Sequence, residues 1–338
     1  PTPDNDSYRN KSWAYVNVSS SDESEYSVFV DWNNSLVGWW RFENNLTDSS
    51  GQGNDASCST CPTYVASGAR GGAYDFDDDG SGQYINIADN DSLDISDNLT
   101  LAGWARRGNT GSWHYLFDKG TSTDPTYNSP NYWLRFTTSD TLDFTVSSAS
   151  SNTRLLTTDT YSPDTWYHVV ATYQYVSDGS SVMKIYVNGS LARETTSAVG
   201  PLETNTRPLR IGVKNNLEAG SIFNGTLDDM MIFNRALNES EILALYNAST
   251  NRYYNNFTDL DGSYTYKAYA QDAAGNLNQT ETRTVSVDTT YPTIAFDSTT
   301  SANESTVETL LVNITANDTN DFYVANDLDD SIVGWWRF

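Results

Sequence analysis

The stretch from Trp166 to Ser190 reads WYHVVATYQYVSDGSSVMKIYVNGS. Apolar and polar residues alternate on both sides of its central Ser-Asp-Gly-Ser segment, and a period of two is typical of a strand with one buried face. The Asn188-Gly189 pair supplies the two residues that a tight hairpin turn favours. This stretch therefore predicts antiparallel strands joined by tight turns.

Similar runs recur along the rest of the chain, among them YSVFVDW, QYINI, LTLAGWA, YWLRF, LDFTV and TYKAYA. Turn segments rich in Gly, Asn, Asp and Ser separate them. One segment, Ala236 to Asn247, has a helical pattern that begins with Asn238 and Glu241, the two residues of a capping box. One short helix among many strands predicts an all-β fold of the sandwich or jelly-roll type.

The composition excludes several classes of protein. The 338 residues carry 44 Asp and Glu against 19 Lys and Arg, a formal net charge of −25. Nucleic-acid binding is not expected, because that affinity comes largely from cationic side chains that neutralise phosphates. No run approaches the roughly 20 apolar residues of a membrane span. The length predicts about two domains, and Pro1 opens no signal peptide, so we expect a piece of a longer mature protein.

A long repeat organises the chain. The segment Val16–Phe42, VNVSSSDESEYSVFVDWNNSLVGWWRF, recurs as Val312–Phe338, VNITANDTNDFYVANDLDDSIVGWWRF, with every position shifted by 296. Self-similarity at a fixed period indicates a tandem array. We therefore expect one whole module followed by an overhang into the next one.

From Leu36 to about Ser249 the chain resembles a laminin G-like, concanavalin A-like lectin domain. The motifs that carry the resemblance are LVGWWRFE, DSSGQGND, DTWYHVVATY, KIYVNGS and NGTLDDMMIFNRALNESEILALYN. The resemblance implies a jelly roll in which two antiparallel sheets stack over residues 36–249.

The flanks resemble an immunoglobulin-like (Ig-like) repeat of archaeal or bacterial surface proteins, most clearly in LDGSYTYKAYAQDAAGN. Neither flank alone has enough strands to cover an apolar face. We therefore expect residues 1–35 and 250–290 to be the first and second halves of one Ig-like β-sandwich, with the lectin-like domain inserted between them. Residues 291–338 are then the start of the next tandem repeat. A serial arrangement of domains is the alternative.

N-glycosylation sequons are frequent, with 16 sites where about eight are expected by chance from 33 Asn and 78 Ser and Thr. The excess predicts N-linked glycans on an extracellular or cell-surface protein, and the alternative is an abundance of turn residues. Many sequons with only two cysteines are more typical of an archaeal surface protein than of an animal secreted one. The sites are Asn5, Asn10, Asn17, Asn33, Asn45, Asn90, Asn98, Asn188, Asn224, Asn238, Asn247, Asn256, Asn278, Asn303, Asn313 and Asn317.

A structural calcium ion is implied by the family resemblance. The matching positions are Asp48 and Asn54 in DSSGQGND and Asp228 in GTLDD. Their oxygen atoms are the hard ligands that Ca²⁺ prefers. The alternative is that Asp48 forms a turn with its own backbone and that Asp228 accepts backbone hydrogen bonds. The run Asp75 to Gly80 resembles a calcium loop only superficially, because Asn86 replaces the bidentate Glu of such loops.

Cys58 and Cys61 lie in the loop segment CSTC. They predict either a short loop disulfide or two idle thiols, because the flanks lack the strand and helix of a redox motif and the two histidines are distant in sequence.

Catalysis is not expected. The glucanases of this fold place carboxylates at alternate positions of one strand, and no such run occurs here. An aromatic platform for sugar is conceivable at Trp113, His114 and Tyr115, or at Tyr127 and Tyr132, but the interpretation that these residues belong to the core is favoured. The tryptophans at positions 104, 133 and 166 lie in alternating strands and are expected in the core.

These observations predict a non-enzymatic, N-glycosylated surface protein built of tandem modules. The first functional hypothesis is a structural filament formed by self-association through β-strand addition. The alternative is an adhesin whose lectin-like domain binds glycans, such as a polysaccharide, with Ca²⁺.

Overall fold

The computed structural model describes residues 2–20, 26–77, 82–120, 131–148, 151–217, 221–247, 252–302, 306 and 311–318. The positions Asp79, Tyr127 and Asn303 and most of the repeat overhang lie outside these residues. Within the described part of the chain, no helix is both long and apolar enough to cross a membrane.

Nearly all regular structure is β. In chain order the first twelve strands are β1 Ser7–Arg9, β2 Ala14–Ser19, β3 Tyr26–Trp32, β4 Leu36–Trp40, β5 Ala56–Ser57, β6 Thr63–Val65, β7 Ala73–Phe76, β8 Ile85–Ile87, β9 Asn98–Arg107, β10 His114–Asp118, β11 Tyr132–Phe136 and β12 Leu142–Ser147. The next twelve are β13 Asn152–Leu156, β14 Tyr167–Gln174, β15 Ser181–Val187, β16 Ser190–Ala198, β17 Leu209–Ile211, β18 Gly225–Phe233, β19 Arg252–Phe257, β20 Gly262–Asp272, β21 Leu277–Gln279, β22 Arg283–Val287, β23 Thr293–Phe296 and β24 Ile314–Asn317. Among the described residues there are also one 3₁₀ turn, Asp91–Leu93, and one α-helix, α1 Glu239–Tyr246.

Two large antiparallel sheets form the jelly roll that the sequence predicts. One has the strand order β13-β12-β11-β10-β17-β8-β5, and the other has the order β16-β15-β14-β9-β18-β7-β6 with β4 also paired to β18. The core between them is apolar and aromatic, and Trp40, Phe117, Tyr132, Phe144 and Tyr173 are all fully buried in it. Burial of such side chains is the main source of stability in a sandwich of this kind.

The predicted hairpin and helix are both present. β15 and β16 pair through the turn at Asn188 and Gly189, both of which have positive φ angles. The helix begins after Asn238, whose side chain accepts a hydrogen bond from the amide of Glu241, while the Glu241 side chain accepts one from the amide of Asn238. This reciprocal pair is the capping box that the sequence predicts.

A second, smaller unit is built from the segments that precede and follow the jelly roll. β1 pairs with β22, β2 with β19, and β3 with β20, so strands that precede residue 36 pair with strands that follow residue 250. Its core includes Val16, Val28, Trp32, Phe257 and Val285. Trp32 stacks on Phe257 with ring centroids 4.0 Å apart.

The two units share a third apolar cluster. Phe29 and Tyr269 from the small unit pack edge-on against Trp39 of the jelly roll at centroid distances of 5.4 Å. The Trp39 indole donates a 2.9 Å hydrogen bond to Asp229, which also accepts from Gln271. The small sandwich is therefore packed against the outer face of the eight-stranded sheet, and the outer face of the seven-stranded sheet lies on the opposite side of the jelly roll.

Candidate functional site

The outer face of the seven-stranded sheet carries a row of polar and aromatic side chains. Along β11, Tyr132, Leu134 and Phe136 point into the core, so Trp133 and Arg135 point the other way. Trp133 was expected in the core, and that expectation is wrong because this residue occupies the outward phase of the alternation. We call the outward side chains of β10, β11, β12 and β13, together with Trp113, the sheet face.

Arg135 is the centre of the sheet face. Its guanidinium lies 3.9 Å from the centroid of the Trp113 ring, a cation–π distance, and it donates a hydrogen bond to the hydroxyl of Tyr115. Asp143 on the adjacent strand accepts from Arg135 Nε at 2.8 Å and from Arg154 Nε at 2.9 Å. These contacts fix the Trp113 ring and the arginine in one arrangement.

Burial is high even though these side chains point away from the core. Asp143 is fully buried, and Arg135 is only 8% exposed. Burial raises the pKa of Tyr115, so its hydroxyl keeps its proton over the physiological range. Burial also raises the pKa of Asp118, which pairs with Trp133 across the strands, to about 6, while the amides of Asn215 and Gly120 oppose the shift.

One end of the sheet face has buried polar atoms that lack hydrogen-bond partners. Ser147 donates its backbone N–H to the Asn131 carbonyl at 3.1 Å, so the two residues are cross-strand neighbours on the same face. Both amide atoms of the Asn131 side chain and the Ser147 hydroxyl are buried and unpartnered, as is the Trp133 indole nitrogen. Asn131 and Ser147 are each 1% exposed. Buried polar groups normally have partners, so this cluster indicates a place where water or ligand hydroxyls bind.

Sequence reasoning found only part of this site. Trp113 and Tyr115 do lie on the sheet face. His114 and Tyr132 do not: His114 is fully buried and accepts a hydrogen bond from the amide of Asn224, and Tyr132 is in the core with its hydroxyl bonded to the Leu93 carbonyl. At these two residues the core interpretation therefore applies, and they form no platform.

The residues that the sequence analysis missed are Asn131, Arg135, Asp143 and Ser147. The period-two pattern of NYWLRF, with apolar residues at alternate positions, was the available signal for Asn131 and Arg135.

The three residues implied as calcium ligands differ in the hydrogen bonds that their side-chain oxygens accept. The two Asp48 oxygens accept four hydrogen bonds, from the amides of Trp39, Ser50 and Asn54 and from the Ser50 hydroxyl. That number fills the lone pairs of a carboxylate. Asp228 is fully buried; one oxygen accepts from the amide of Arg70 and the other has no partner. Within the described ranges, no group of three or more His, Cys, Asp or Glu side chains is arranged to hold a metal. Asp48 is therefore saturated with hydrogen bonds, whereas Asn54 and Asp228 each retain one unpartnered buried side-chain oxygen.

The sequons lie at the surface. Leaving out Asn303, none of the other fifteen sequon asparagines is buried. Among the described residues, the buried asparagines are Asn54, Asn131, Asn215 and Asn255, and all four lie outside sequons. The strands of the seven-stranded sheet contain no sequon. Cys58 and Cys61 are joined by a disulfide in an exposed loop.

Comparisons with known proteins bear on the jelly roll. Residues 79–243 match the Laminin_G_3 family model, described as the concanavalin A-like lectin/glucanases superfamily. Adhesion G-protein coupled receptor V1 of Danio rerio is 28% identical over 184 residues, which cover 52% of this chain and 3% of that receptor.

Solved structures resemble about 63% of the chain. The binding domain of Paraclostridial Mosquitocidal Protein 1 has 20% identity and a TM-score of 0.51, and the match covers 63% of this chain and 52% of that one. Domain 4 of AbnA, an extracellular arabinanase from Geobacillus stearothermophilus, has 20% identity and a TM-score of 0.49, with 63% and 98% covered. Residues 79–243 are therefore similar to the concanavalin A-like lectin/glucanases superfamily, and the likeness to the mosquitocidal protein's binding domain is one of fold.

Proposed function

We propose that the chain is a non-enzymatic, extracellular adhesion module whose lectin-like domain binds glycans at the sheet face. The observation that carries the proposal is the cluster of buried, unpartnered polar atoms of Asn131, Ser147 and Trp133. An unpartnered buried polar group costs about 1–3 kcal/mol of stability. A ligand that supplies the missing hydrogen bonds removes this cost, and the recovered free energy favours binding.

Sugars match this cluster chemically. Each sugar hydroxyl both donates and accepts, as the Asn131 amide and the Ser147 hydroxyl require. The Trp133 indole adds apolar surface beside the polar atoms, and the Trp113 ring adds apolar surface farther along the same face, over Arg135. Lectin-type sites combine the two kinds of group. Arg135 and Asp143 are paired with each other, so the face presents no large net charge and favours a neutral saccharide over a strongly charged one.

The chain's own glycans leave this face clear. Because no strand of the seven-stranded sheet carries a sequon, N-linked glycans on the predicted sites do not start from these strands. The match to an adhesion receptor and the likeness to a toxin binding domain support a binding role over catalysis.

A glycan screen tests the proposal. Purified protein is applied to immobilised neutral and acidic oligosaccharides, and Trp113→Ala is compared with Trp166→Ala. Trp166 is a half-buried tryptophan under Arg106, in the loop before β14 of the other sheet. We expect binding to neutral saccharides that Trp113→Ala weakens at least tenfold and Trp166→Ala leaves unchanged. Equal effects of the two substitutions would place the binding elsewhere.

A second candidate function is that of a structural unit in a tandem, filament-forming array. The supporting observation is the pairing of strands from the two ends of the chain. We propose that 1–35 and 250–290 form one Ig-like sandwich, that 36–249 is inserted into it, and that 291–338 begins the next repeat. The Tyr264 hydroxyl bonds the Asp261 carbonyl at 3.1 Å, as in a tyrosine corner. Electron microscopy of native surface material is expected to show regular fibres, and isolated stalks with globular heads would favour the adhesin alone.

Calcium and N-linked glycans complete the proposal. Calcium binding is expected around Asp228, whose buried carboxylate has one unpartnered oxygen. Calorimetric titration of the metal-free protein with Ca²⁺ tests it, with Asp228→Asn as the variant that should lose binding and Asp48→Asn as the variant that should keep it. Mass spectrometry of the native protein measures which of the predicted N-glycosylation sites carry a glycan.

A further inference from the structure

The outer face of the β2–β19 strand pair brings two tyrosines and two sequon asparagines together in the small sandwich. The two strands are antiparallel, and Val16 of β2 and Tyr253 of β19 point into the small core. Successive side chains of a strand point to opposite faces, so the residues next to these two point outward. We call four of the outward residues the tyrosine patch: Tyr15, Asn17, Tyr254 and Asn256.

Each asparagine of the tyrosine patch lies directly opposite a tyrosine. Asn17 is paired with Tyr254, and Asn256 is paired with Tyr15. The main-chain N–H and C=O of Asn17 are bonded to the Thr2 hydroxyl, at 2.8 and 2.9 Å, and therefore point away from β19. Asn17 and Tyr254 thus form a non-hydrogen-bonded pair, the kind in which the Cα atoms are only about 4.5 Å apart and the side chains are closest. The alternation of the ladder makes the pair two residues away, Asn256 and Tyr15, one of the same kind.

The same tyrosines also precede the asparagines in the chain. The two sequons read YVNVS, from Tyr15, and YNNFT, from Tyr254, so in each a tyrosine stands two residues before the asparagine. Residues two apart in a strand share a face, and each asparagine therefore has one tyrosine opposite it and the other beside it. The two rings are stacked on each other with their centroids 6.2 Å apart. They form one aromatic surface between the two asparagines.

This aromatic surface is open to solvent. Tyr254 is 62% exposed, Tyr15 is half-buried, and Asn17 and Asn256 are exposed. Aromatic rings grouped on an exposed face indicate a surface that is covered by something else. A sugar joined to an asparagine side chain can supply this cover, because the C–H groups on one side of its ring are apolar and match the face of a tyrosine. Its hydroxyls remain in water.

We propose that the tyrosine patch is a double N-glycosylation site, in which the first sugar on Asn17 stacks on Tyr254 and the first sugar on Asn256 stacks on Tyr15. Each sugar covers an aromatic ring of the opposite strand and so holds β2 and β19 together. The inference rests on the proposed N-glycosylation, and it adds which sequons are occupied and what their glycans contact.

A double-mutant cycle read by hydrogen exchange tests the stacking. The full chain is secreted from a eukaryotic host and trimmed to a single N-acetylglucosamine at each occupied sequon, and mass spectrometry should find this sugar on Asn17 and Asn256. Asn17→Gln removes one sugar, and exchange of the Val16 and Asn255 amides, which bridge the two strands, should quicken at least about threefold. The same substitution should have no effect in a Tyr254→Ser background. It should keep its effect in a Tyr254→Phe background, which retains the ring.

The matched control is Asn278→Gln. Asn278 is an exposed sequon residue on β21 of the same sandwich, but it lies opposite Ala270 instead of a tyrosine. Removing its sugar should leave exchange of the β20–β21 amides unchanged.

Three results would overturn the inference. They are a lack of sugar on Asn17 or Asn256, an effect of Asn17→Gln that survives Tyr254→Ser, and an equal effect of Asn278→Gln on its own strand pair. Sugar on other sequons would leave the N-glycosylation proposal standing in each case. That proposal fails only if no sequon is occupied, so the two fail separately.

Discussion

The Arg135 guanidinium lies over the ring of Trp113 at 3.9 Å from its centroid. The arrangement holds a large aromatic ring in one orientation on the outer face of a β-sheet. A ring fixed before the ligand arrives loses little conformational entropy on binding. The contact therefore preorganises the sheet face for a ligand. It also contributes to the stability of the domain.

The first prediction concerns the charge that Arg135 balances. Arg135→Ala leaves the fully buried Asp143 carboxylate without its most buried cation, and removing one partner of a buried pair costs about 3–5 kcal/mol. We expect a loss of that order in the free energy of unfolding, measured by urea denaturation. Arg154→Ala is the matched control: it contacts the same carboxylate, but its side chain is 42% exposed, and we expect a loss below about 1 kcal/mol. Equal losses would mean that Arg135 does not neutralise Asp143.

The second prediction concerns the contact between the two sandwiches. Gly71 in the jelly roll donates its amide to the Ala273 carbonyl at 2.9 Å, and Glu43, held by the amide of Gly72, lies against Gly275. A Cβ at Gly275 would overlap the Glu43 carboxylate. Gly275→Ala should therefore cost about 1–3 kcal/mol more than Gly111→Ala, measured by calorimetry.

Gly111 is a close control because its φ angle is +81° against +82° at Gly275 and it has open space around it. Both substitutions carry the same backbone strain, so the difference isolates the interface. Identical melting curves for the two variants would mean that the stability of the protein does not depend on this contact between the two sandwiches.

The third prediction concerns acid sensitivity. His168 is buried between Trp104 and Tyr246, and burial, together with the nearby Arg70, lowers its pKa to about 3. A histidine whose pKa is lowered in the folded state is protonated first in the unfolded state. Stability is therefore lost as the pH falls from 6.5 toward 3, at about 1.4 kcal/mol per pH unit.

His168→Phe replaces the imidazole with a phenyl ring that does not titrate. The stability of this variant should therefore fall less steeply than that of the wild type between pH 6 and pH 4. His114, whose pKa is lowered to about 4 by burial, contributes equally to both proteins and cancels in the comparison. Parallel stability curves for the wild type and the variant would contradict the assignment.

The sequence predicts the parts of this molecule that depend on local pattern. The hairpin at Asn188-Gly189 and the helix capped by Asn238 follow from turn and capping chemistry within a few residues. The sandwich follows from the alternation of the strands together with the family resemblance.

The site depends on contacts that are remote in sequence and is therefore only half predicted. Whether Tyr132 lies in the core or on a binding face depends on strand phase and on the Leu93 carbonyl, 39 residues away. That Asn131 has no partner becomes visible only once the neighbouring strand is placed beside it. Asp48 was predicted from a motif that favours calcium, and the same motif equally well encodes a carboxylate that organises its own loop.

The most direct test of glycan binding is a calorimetric titration of wild type and Asn131→Ala with a saccharide found in the screen, paired with urea denaturation of both proteins. Asn131 has no side-chain partner within the protein, so the substitution should leave the free energy of unfolding unchanged or raise it by up to about 1–3 kcal/mol. The account predicts that affinity falls at least tenfold while stability is kept. Unchanged affinity in Asn131→Ala, or no binding of any saccharide to the wild type, would contradict it.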